Sequence, residues 1–257
     1  MELIRPIIRV GNSAGVVLPR EWLHGTAKVV LVRKPVEVVK DLFEILQGYF
    51  FDIVGIYLTG SYARGEQTEE SDVDVLVITN RTNKRFVQGK YDVLLISTQE
   101  LDLALQTNAI PLLPMIKEGR PVLNAALLEH FQATALTKDN LSWHIDSTRS
   151  MLAVIEEALR LDEGKGMSDD AFAYSLVLRL REAYIVDCLI AKKLWSNREL
   201  KALIKRIGGS LKAYEGYVRV KSSSVRKKGL PTLEARRLYS YIYDGIRRQE
   251  QWLQRNE

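Results

Sequence analysis

The sequence predicts an α+β chain in three parts: a small β-rich N-terminal piece, a central α/β domain and an all-α C-terminal bundle. Three observations carry this. Short β-branched runs crowd into residues 1–35 around a Gly-Asn turn. Between residues 36 and 125, apolar runs of strand length alternate with helical patterns. From about Asn140 onward, apolar residues recur at spacings of three and four to the end. The divisions are expected at residues 1–35, 36–125 and 136–257.

Composition bounds the class. Of 257 residues, 46% are hydrophobic, enough to bury a sizeable core. No apolar run approaches the length that spans a bilayer, and MELIRPIIRV lacks the long apolar stretch of a secretory signal. A cytoplasmic protein without a membrane partner is expected. Cys188 is the sole cysteine, which excludes an internal disulfide and a cysteine-based zinc site and suits a buried structural thiol. The net charge of +5 is unevenly spread: residues 1–35 hold six Lys/Arg against two Asp/Glu, and residues 197–257 hold fifteen against six. The middle is therefore acidic. Basic ends suit phosphate backbones, and equally suit solvated helix surfaces.

In residues 1–35, Ile4 to Val10 and Ala27 to Val32 read as strands. Gly11-Asn12 signals a turn, and Val16 to Leu18 a third short strand ended by Pro19. So short a piece cannot close its own core, so it must pack on a neighbour or on a second copy of itself. The stretch RVGNSAGVVLPREWL…AKVVLV resembles the AbrB/MazE-type swapped-hairpin domains. That resemblance implies a small barrel made by two interlaced chains, hence a homodimer, with duplex DNA as a partner. Arg9, Asn12, Ser13 and Arg20 would then be the contacts: arginines neutralise phosphates, while Asn and Ser also reach base edges. The same barrel could serve dimerisation alone.

Beyond Pro35, Val38, Val39, Leu42, Phe43, Leu46 and Tyr49 predict an amphipathic helix within Val36 to Phe51. It leads to the stretch around which the rest is arranged, LTGSYARGEQTEESDVDVLVI, residues 58–78. An apolar run, Ile53 to Leu58, ends at Gly60-Ser61; Asp72-Val73-Asp74 opens a second, Val75 to Ile78. Both are short and β-branched, as in buried strands. Alternation along a strand puts Asp72 and Asp74 on one face. Two carboxylates there repel unless a cation lies between them, and hard oxygen ligands suit Mg²⁺. Gly60 permits close backbone approach to a phosphate, and the turn N–H groups can face its oxygens.

This pattern, a Gly-Ser pair, about ten residues, then Asp-hydrophobic-Asp, resembles the DNA polymerase β-like nucleotidyltransferases, and GSYARGE…SDVDVLV most of all their minimal members. The resemblance implies a third carboxylate on a following strand. Asp92, heading the apolar run Val93 to Leu95, supplies it, and MIKEGRPVL resembles the closing helix and strand. It further implies that Asp72, Asp74 and Asp92 hold two Mg²⁺ ions, that Gly60 and Ser61 cradle the β/γ-phosphates of a nucleoside triphosphate, and that Arg64 is a further counter-charge. Between these points, Arg81 to Gly89 reads as a basic loop, Ser97 to Leu105 as a helix with Thr98 as N-cap, and the domain is expected to close near Asn124.

In the C-terminal part, Leu141, Ile145, Met151, Leu152, Ile155 and Leu159 form one stripe. Ser168-Asp169-Asp170 signals the start of a long helix, Asn197 another, Ser210 a fourth, and Gly229-Leu230-Pro231-Thr232 precedes the last. Short connections predict a four- to five-helix bundle. A nucleotidyltransferase domain followed by such a bundle resembles two arrangements: pairings with HEPN-type bundles, and the aminoglycoside nucleotidyltransferases, where the bundle helps bind the acceptor. Ribonuclease HEPN bundles carry Arg, four to six residues, then His. None of His24, His130 and His144 has an Arg at that separation, so such ribonuclease activity is not expected. His144 reads as a packing or surface residue.

The resemblance implies transfer of a nucleoside monophosphate, AMP first among them, from a triphosphate to an acceptor that is a protein, a small molecule or a nucleic acid. Glu156 and Glu182 are the bundle acids available as a protein base, with neither assigned. The alternative is a DNA-binding regulator or antitoxin-like protein whose nucleotidyltransferase domain binds nucleotide or modifies a partner.

Overall fold

The computed structural model describes residues 3, 5, 7–29, 37–161, 166–222 and 228–255. The chain falls into two compact units, residues 1–44 and 45–257.

In the first unit, β1 (Ile7–Val10) and β2 (Ser13–Val16) form an antiparallel hairpin with Ile7 opposite Val16 and Val10 opposite Ser13. Gly11 makes the turn at φ +60°, a conformation that costs glycine little. The Arg9 Nε–H donates to the Gly11 carbonyl at 2.9 Å. Val17 to Pro19 follows β2 without forming a strand, unlike the expected third strand. Residues 27–29 form no strand among the described residues, and the rest of the predicted Ala27 to Val32 run lies outside them. Ile7 is 51% exposed and Ile8 42%, so β1 leaves apolar side chains uncovered on both faces. The predicted amphipathic helix is α1 (Val38–Leu46), with Leu42 and Leu46 buried one turn apart.

The second unit is built on a five-stranded sheet. Its strands are β3 (Ile53–Leu58), β4 (Val73–Thr79), β5 (Lys84–Gln88), β6 (Tyr91–Ser97) and β7 (Arg120–Leu123), in the order β5-β6-β4-β3-β7. Only β4 and β6 pair in parallel. Six of the seven β4 residues are buried, which is why the run VDVLVIT is almost continuously apolar. A short helix, α2 (Gly60–Arg64), follows β3. Strand β5 occupies most of the expected basic loop. It is an edge strand, and edges tolerate the Lys84, Arg85 and Gln88 that hid it.

Helix α3 (Thr98–Thr107) is capped by Ser97, whose hydroxyl accepts the Glu100 N–H, while Thr98 donates to the Thr79 carbonyl. Helix α4 (Leu113–Glu118) and β7 follow. Asn124, at φ +63°, then caps α5 (Ala125–Gln132), a helix beyond the expected closing point. Leu128 and Phe131 of α5 join the core formed by Tyr57, Leu76, Ile78, Leu101 and Leu113.

Among the described residues, five helices make the bundle: α6 (Lys138–Leu161), α7 (Asp170–Ile190), α8 (Asn197–Gly208), α9 (Lys212–Lys221) and α10 (Thr232–Arg255). Its start signals hold with small shifts, Asp169 capping α7 and Ser196 capping α8. Two short strands, β8 (Met167–Asp169) and β9 (Lys228–Pro231), pair antiparallel with Ser168 opposite Leu230. The sheet core and the bundle core meet at Leu136 and Leu189, which pack on both. Buried Asn140 reinforces the join: its Nδ2 donates to the Leu105 and Ala135 carbonyls, and its own carbonyl accepts the Ala109 N–H. His144 is a core residue, with Nε2 beside the Gln249 Oε1 at 3.2 Å. Cys188 is half-buried, and burial pushes its thiol above the usual range. No helix among the described residues is long and apolar enough to cross a membrane.

Candidate active site

Parallel pairing of β4 with β6 sets Asp74 opposite Asp92. Their neighbours Val73, Val75, Tyr91 and Val93 are buried, so alternation turns both carboxylates to one face. Asp72, just ahead of β4, is exposed. Burial, then the like charges of Asp92 and Asp72, raises the Asp74 carboxyl above its ordinary pKa. Lys221, the last residue of α9, opposes this and favours the ionised form of both Asp74 and Asp92.

Gly60 closes the site from β3. It sits at φ +65°, and a Cβ there would meet the Asp74 Oδ2 at 2.0 Å and Cγ at 2.8 Å. Both the backbone conformation and the space against Asp74 therefore demand glycine. The preceding residue, Thr59, is fully buried; its N–H donates to the Asp74 carbonyl at 2.9 Å, and its hydroxyl has no hydrogen-bond partner among the described residues. Ser61 lies half-buried at the second position of α2.

Gly60 and Arg64, both assigned from the sequence, have acidic partners within the chain. The Gly60 N–H donates to the Glu118 Oε1 at 2.6 Å. Arg64, expected as a counter-charge, is held between two acids. Its Nη1 donates to the Glu118 Oε2 and its Nε to the Glu66 Oε2 at 3.0 Å, with only 7% of its side chain exposed. Burial works against the Arg64 charge, and Glu118 and Glu66 more than offset it. Burial also raises the Glu118 carboxyl, against the pull of Arg64 and the Gly60 N–H.

Asp92 has its own partner. Arg85 on β5 donates to its Oδ1 from Nε at 2.9 Å and to its Oδ2 from Nη2 at 2.6 Å. This two-pronged contact holds the Asp92 carboxyl below the usual carboxylate range. As placed, no three His, Cys, Asp or Glu side chains among the described residues converge into a preformed metal cage. The donor chemistry nevertheless fits a hard divalent cation. Asp74 and Asp92 present carboxylate oxygens on one face, the ionised form of Asp74 is disfavoured by burial and its acidic neighbours, and a cation would relieve that repulsion.

The remaining candidates lie elsewhere. Arg9, Asn12, Ser13 and Arg20 are exposed residues of the first unit, on and just after the hairpin. Glu156 accepts Arg160 at 3.3 Å and the Tyr239 hydroxyl at 3.2 Å. Glu182 accepts Arg179 at 2.8 Å. Both acids are engaged within the bundle. Sequence reasoning did not assign Glu66, Glu118, Arg85, Lys221 or Ser196. Two of them lie within recognised stretches, Glu118 as the acid of MIKEGRPVL and Glu66 as the last residue of GSYARGE.

The family model described as Nucleotidyltransferase domain matches residues 34–134 of this chain. Putative protein adenylyltransferase MJ1379 of Methanocaldococcus jannaschii is 42% identical over 53 residues, 21% of this chain and 45% of that protein. The chain thus spans less than half the length of the curated relative it matches. Among solved structures, spectinomycin adenyltransferase AAD(9) from Enterococcus faecialis aligns at 14% identity and a TM-score of 0.43, over 83% of this chain and all of that one. A nucleotidyltransferase-like protein from Exiguobacterium sibiricum aligns at 14% identity and a TM-score of 0.37, over 83% of this chain and 74% of that one.

Proposed function

We propose that the chain transfers a nucleoside monophosphate from a nucleoside triphosphate to an acceptor. The observation that carries this is the pairing of Asp74 with Asp92 beneath a glycine that only an unsubstituted backbone can occupy. Asp72, Asp74 and Asp92 would hold Mg²⁺, which supplies charge neutralisation on the triphosphate and a more acidic acceptor hydroxyl when bound. The chain's own residues do the rest. Gly60 and Ser61 place the β/γ-phosphates, and the Arg64–Glu118 pair fixes the turn from behind. An acceptor oxygen bonds to the α-phosphorus as the bond to the pyrophosphate oxygen breaks; the acceptor proton leaves to solvent or base. Positioning and charge stabilisation account for most of such catalysis. AMP is the favoured group and a protein the favoured acceptor, because the relative matched over 53 residues is named as a protein adenylyltransferase. Incubating the full chain with MgATP and candidate proteins or small alcohols, and reading an acceptor mass increase equal to one adenylyl group, tests this. No mass change on any acceptor and no pyrophosphate release would reject it.

A second activity is supported by the hairpin. Ile7, Ile8 and Val10 are exposed on a two-stranded sheet too small to enclose them, and Val17 and Leu23, which follow it, are exposed as well. A second copy of the same hairpin would cover them and make a homodimer. Arg9 and Arg20 would then contact duplex DNA through its phosphates, with Asn12 and Ser13 at the turn.

A further inference from the structure

Glu66 lies outside both the Gly60 turn and the Asp74–Asp92 pair, yet it joins them to the helix bundle. Its Oε1 accepts the Ser196 hydroxyl at 2.5 Å. Its Oε2 accepts the Asn197 N–H at 3.3 Å and the Arg64 Nε–H at 3.0 Å. From Arg64 the chain of contacts continues through Glu118 to the Gly60 N–H at 2.6 Å. The first turn of α8 is thus linked, side chain by side chain, to the backbone that touches Asp74.

The bundle end of this chain is itself fixed. The Ser196 hydroxyl accepts the Arg198 N–H at 3.1 Å as the α8 cap. The Tyr184 hydroxyl accepts the Ser196 N–H at 3.2 Å and donates to Glu199 at 2.8 Å, tying α7 to the same turn. The inner end is nearly dry: side-chain exposure is 7% for Arg64 and 5% for Glu118, against 25% for Glu66. Arg64 cannot swing toward a phosphate without leaving the buried Glu118 carboxylate with no cationic partner at Oε2 and breaking its own bond to Glu66, a costly change at a nearly dry site. Movement of α8 would therefore reach the Gly60 turn through Arg64.

We propose that Glu66 is a positioning residue through which the bundle sets the geometry of the Gly60 turn, so that displacement of the first turn of α8 changes affinity for the triphosphate. The proposal rests on the nucleotidyltransferase reading given above. It makes the coupling reciprocal: an acceptor that shifts α8 alters nucleotide affinity, and nucleotide alters acceptor affinity by the same factor. A structural staple would contribute to melting temperature alone.

The test titrates MgATP and AMP, by calorimetry, into the full chain and its Glu66→Gln, Ser196→Ala and Ser196→Thr variants, with a thermal melt of each. Loss of one charge-assisted bond is expected to weaken MgATP binding about tenfold in Glu66→Gln and Ser196→Ala. AMP, which lacks the β/γ-phosphates, should change less than about twofold on the same scale. Ser196→Thr keeps the hydroxyl and should bind as the wild type does. The double variant Glu66→Gln/Ser196→Ala should be no weaker than the weaker single, because both cut one chain. Variants that melt lower while keeping the wild-type ratio of ATP to AMP affinity would overturn the proposal and leave Glu66 a staple. A wild type that binds neither nucleotide would overturn the nucleotidyltransferase reading itself.

Discussion

A Cβ placed on Gly60 would stand 2.0 Å from the Oδ2 of Asp74. The two residues share one small space, and Gly60 also holds φ +65°. Gly60→Ala therefore strains the backbone and pushes the carboxylate aside together. Such strain costs about 1–3 kcal/mol, read as a melting temperature lower by roughly 3–10 °C. MgATP affinity should fall at least about tenfold. Calorimetry and a thermal melt on the same preparation check both; unchanged affinity would separate Gly60 from the nucleotide.

Asp74→Asn should act in opposite directions on activity and stability. It removes an oxygen charge that the proposed transfer would use, so turnover should drop by about 10²–10³-fold or more. It also removes a half-buried charge facing two like charges, so the variant should melt no lower than the wild type. Steady-state pyrophosphate release and a thermal melt measure the two effects. Retained turnover with saturating Mg²⁺ would show that Asp74 is not a ligand the reaction needs.

These carboxylates were legible in the sequence for physical reasons. Period-two alternation in a β-branched run fixes the face of Asp74, and Asp92 stands near the head of another such run, while Asp72 lies just ahead of β4 and outside that alternation. The helices of the bundle were legible because their apolar stripes are long. What stayed hidden depends on pairing across the chain. Strand β5 is an edge rich in charge, and β8 and β9 hold only three and four residues that become strands by finding each other. Glu66 carries no local mark of Ser196, which lies 130 residues on. Arg64 matched a known pattern, but its pattern does not reveal that Glu118 and Glu66 take up its charge.

His144 predicts a pH dependence of stability. It is 1% exposed, its Nδ1 has no hydrogen-bond partner among the described residues, and burial lowers its pKa from 6.5 to about 4. The unfolded chain therefore takes up this proton first. The stabilisation is complete above about pH 6.5 and is lost as pH falls toward 4, with a full value on the order of 3 kcal/mol. Urea melts at pH 7 and pH 5 should differ more for the wild type than for His144→Gln, which has no proton to gain there. Equal pH dependence in both proteins would place the titrating group elsewhere.

The exposed hairpin predicts the state of association. Deleting residues 1–33 should convert a homodimer to a monomer that still binds MgATP, measured by light scattering and calorimetry. The intact chain should bind duplex DNA with an affinity that falls as salt rises. Arg9→Ala and Arg20→Ala should each weaken that binding and flatten its salt slope by about one. A truncated protein that remains dimeric would remove the hairpin as the organising contact.

The β8–β9 ladder bears on the order in which the molecule assembles. Ser168 and Leu230 are both fully buried and lie opposite each other, with α7, α8 and α9 between them in the chain. Individual helices form in about a microsecond, but this ladder must wait for two distant segments to meet, the kind of closure that slows folding. During synthesis the sheet strands and α5 are complete before β9 has emerged, since domains fold largely in the order they are made. A newly made chain therefore passes through an interval in which the Gly60 turn exists without the completed bundle.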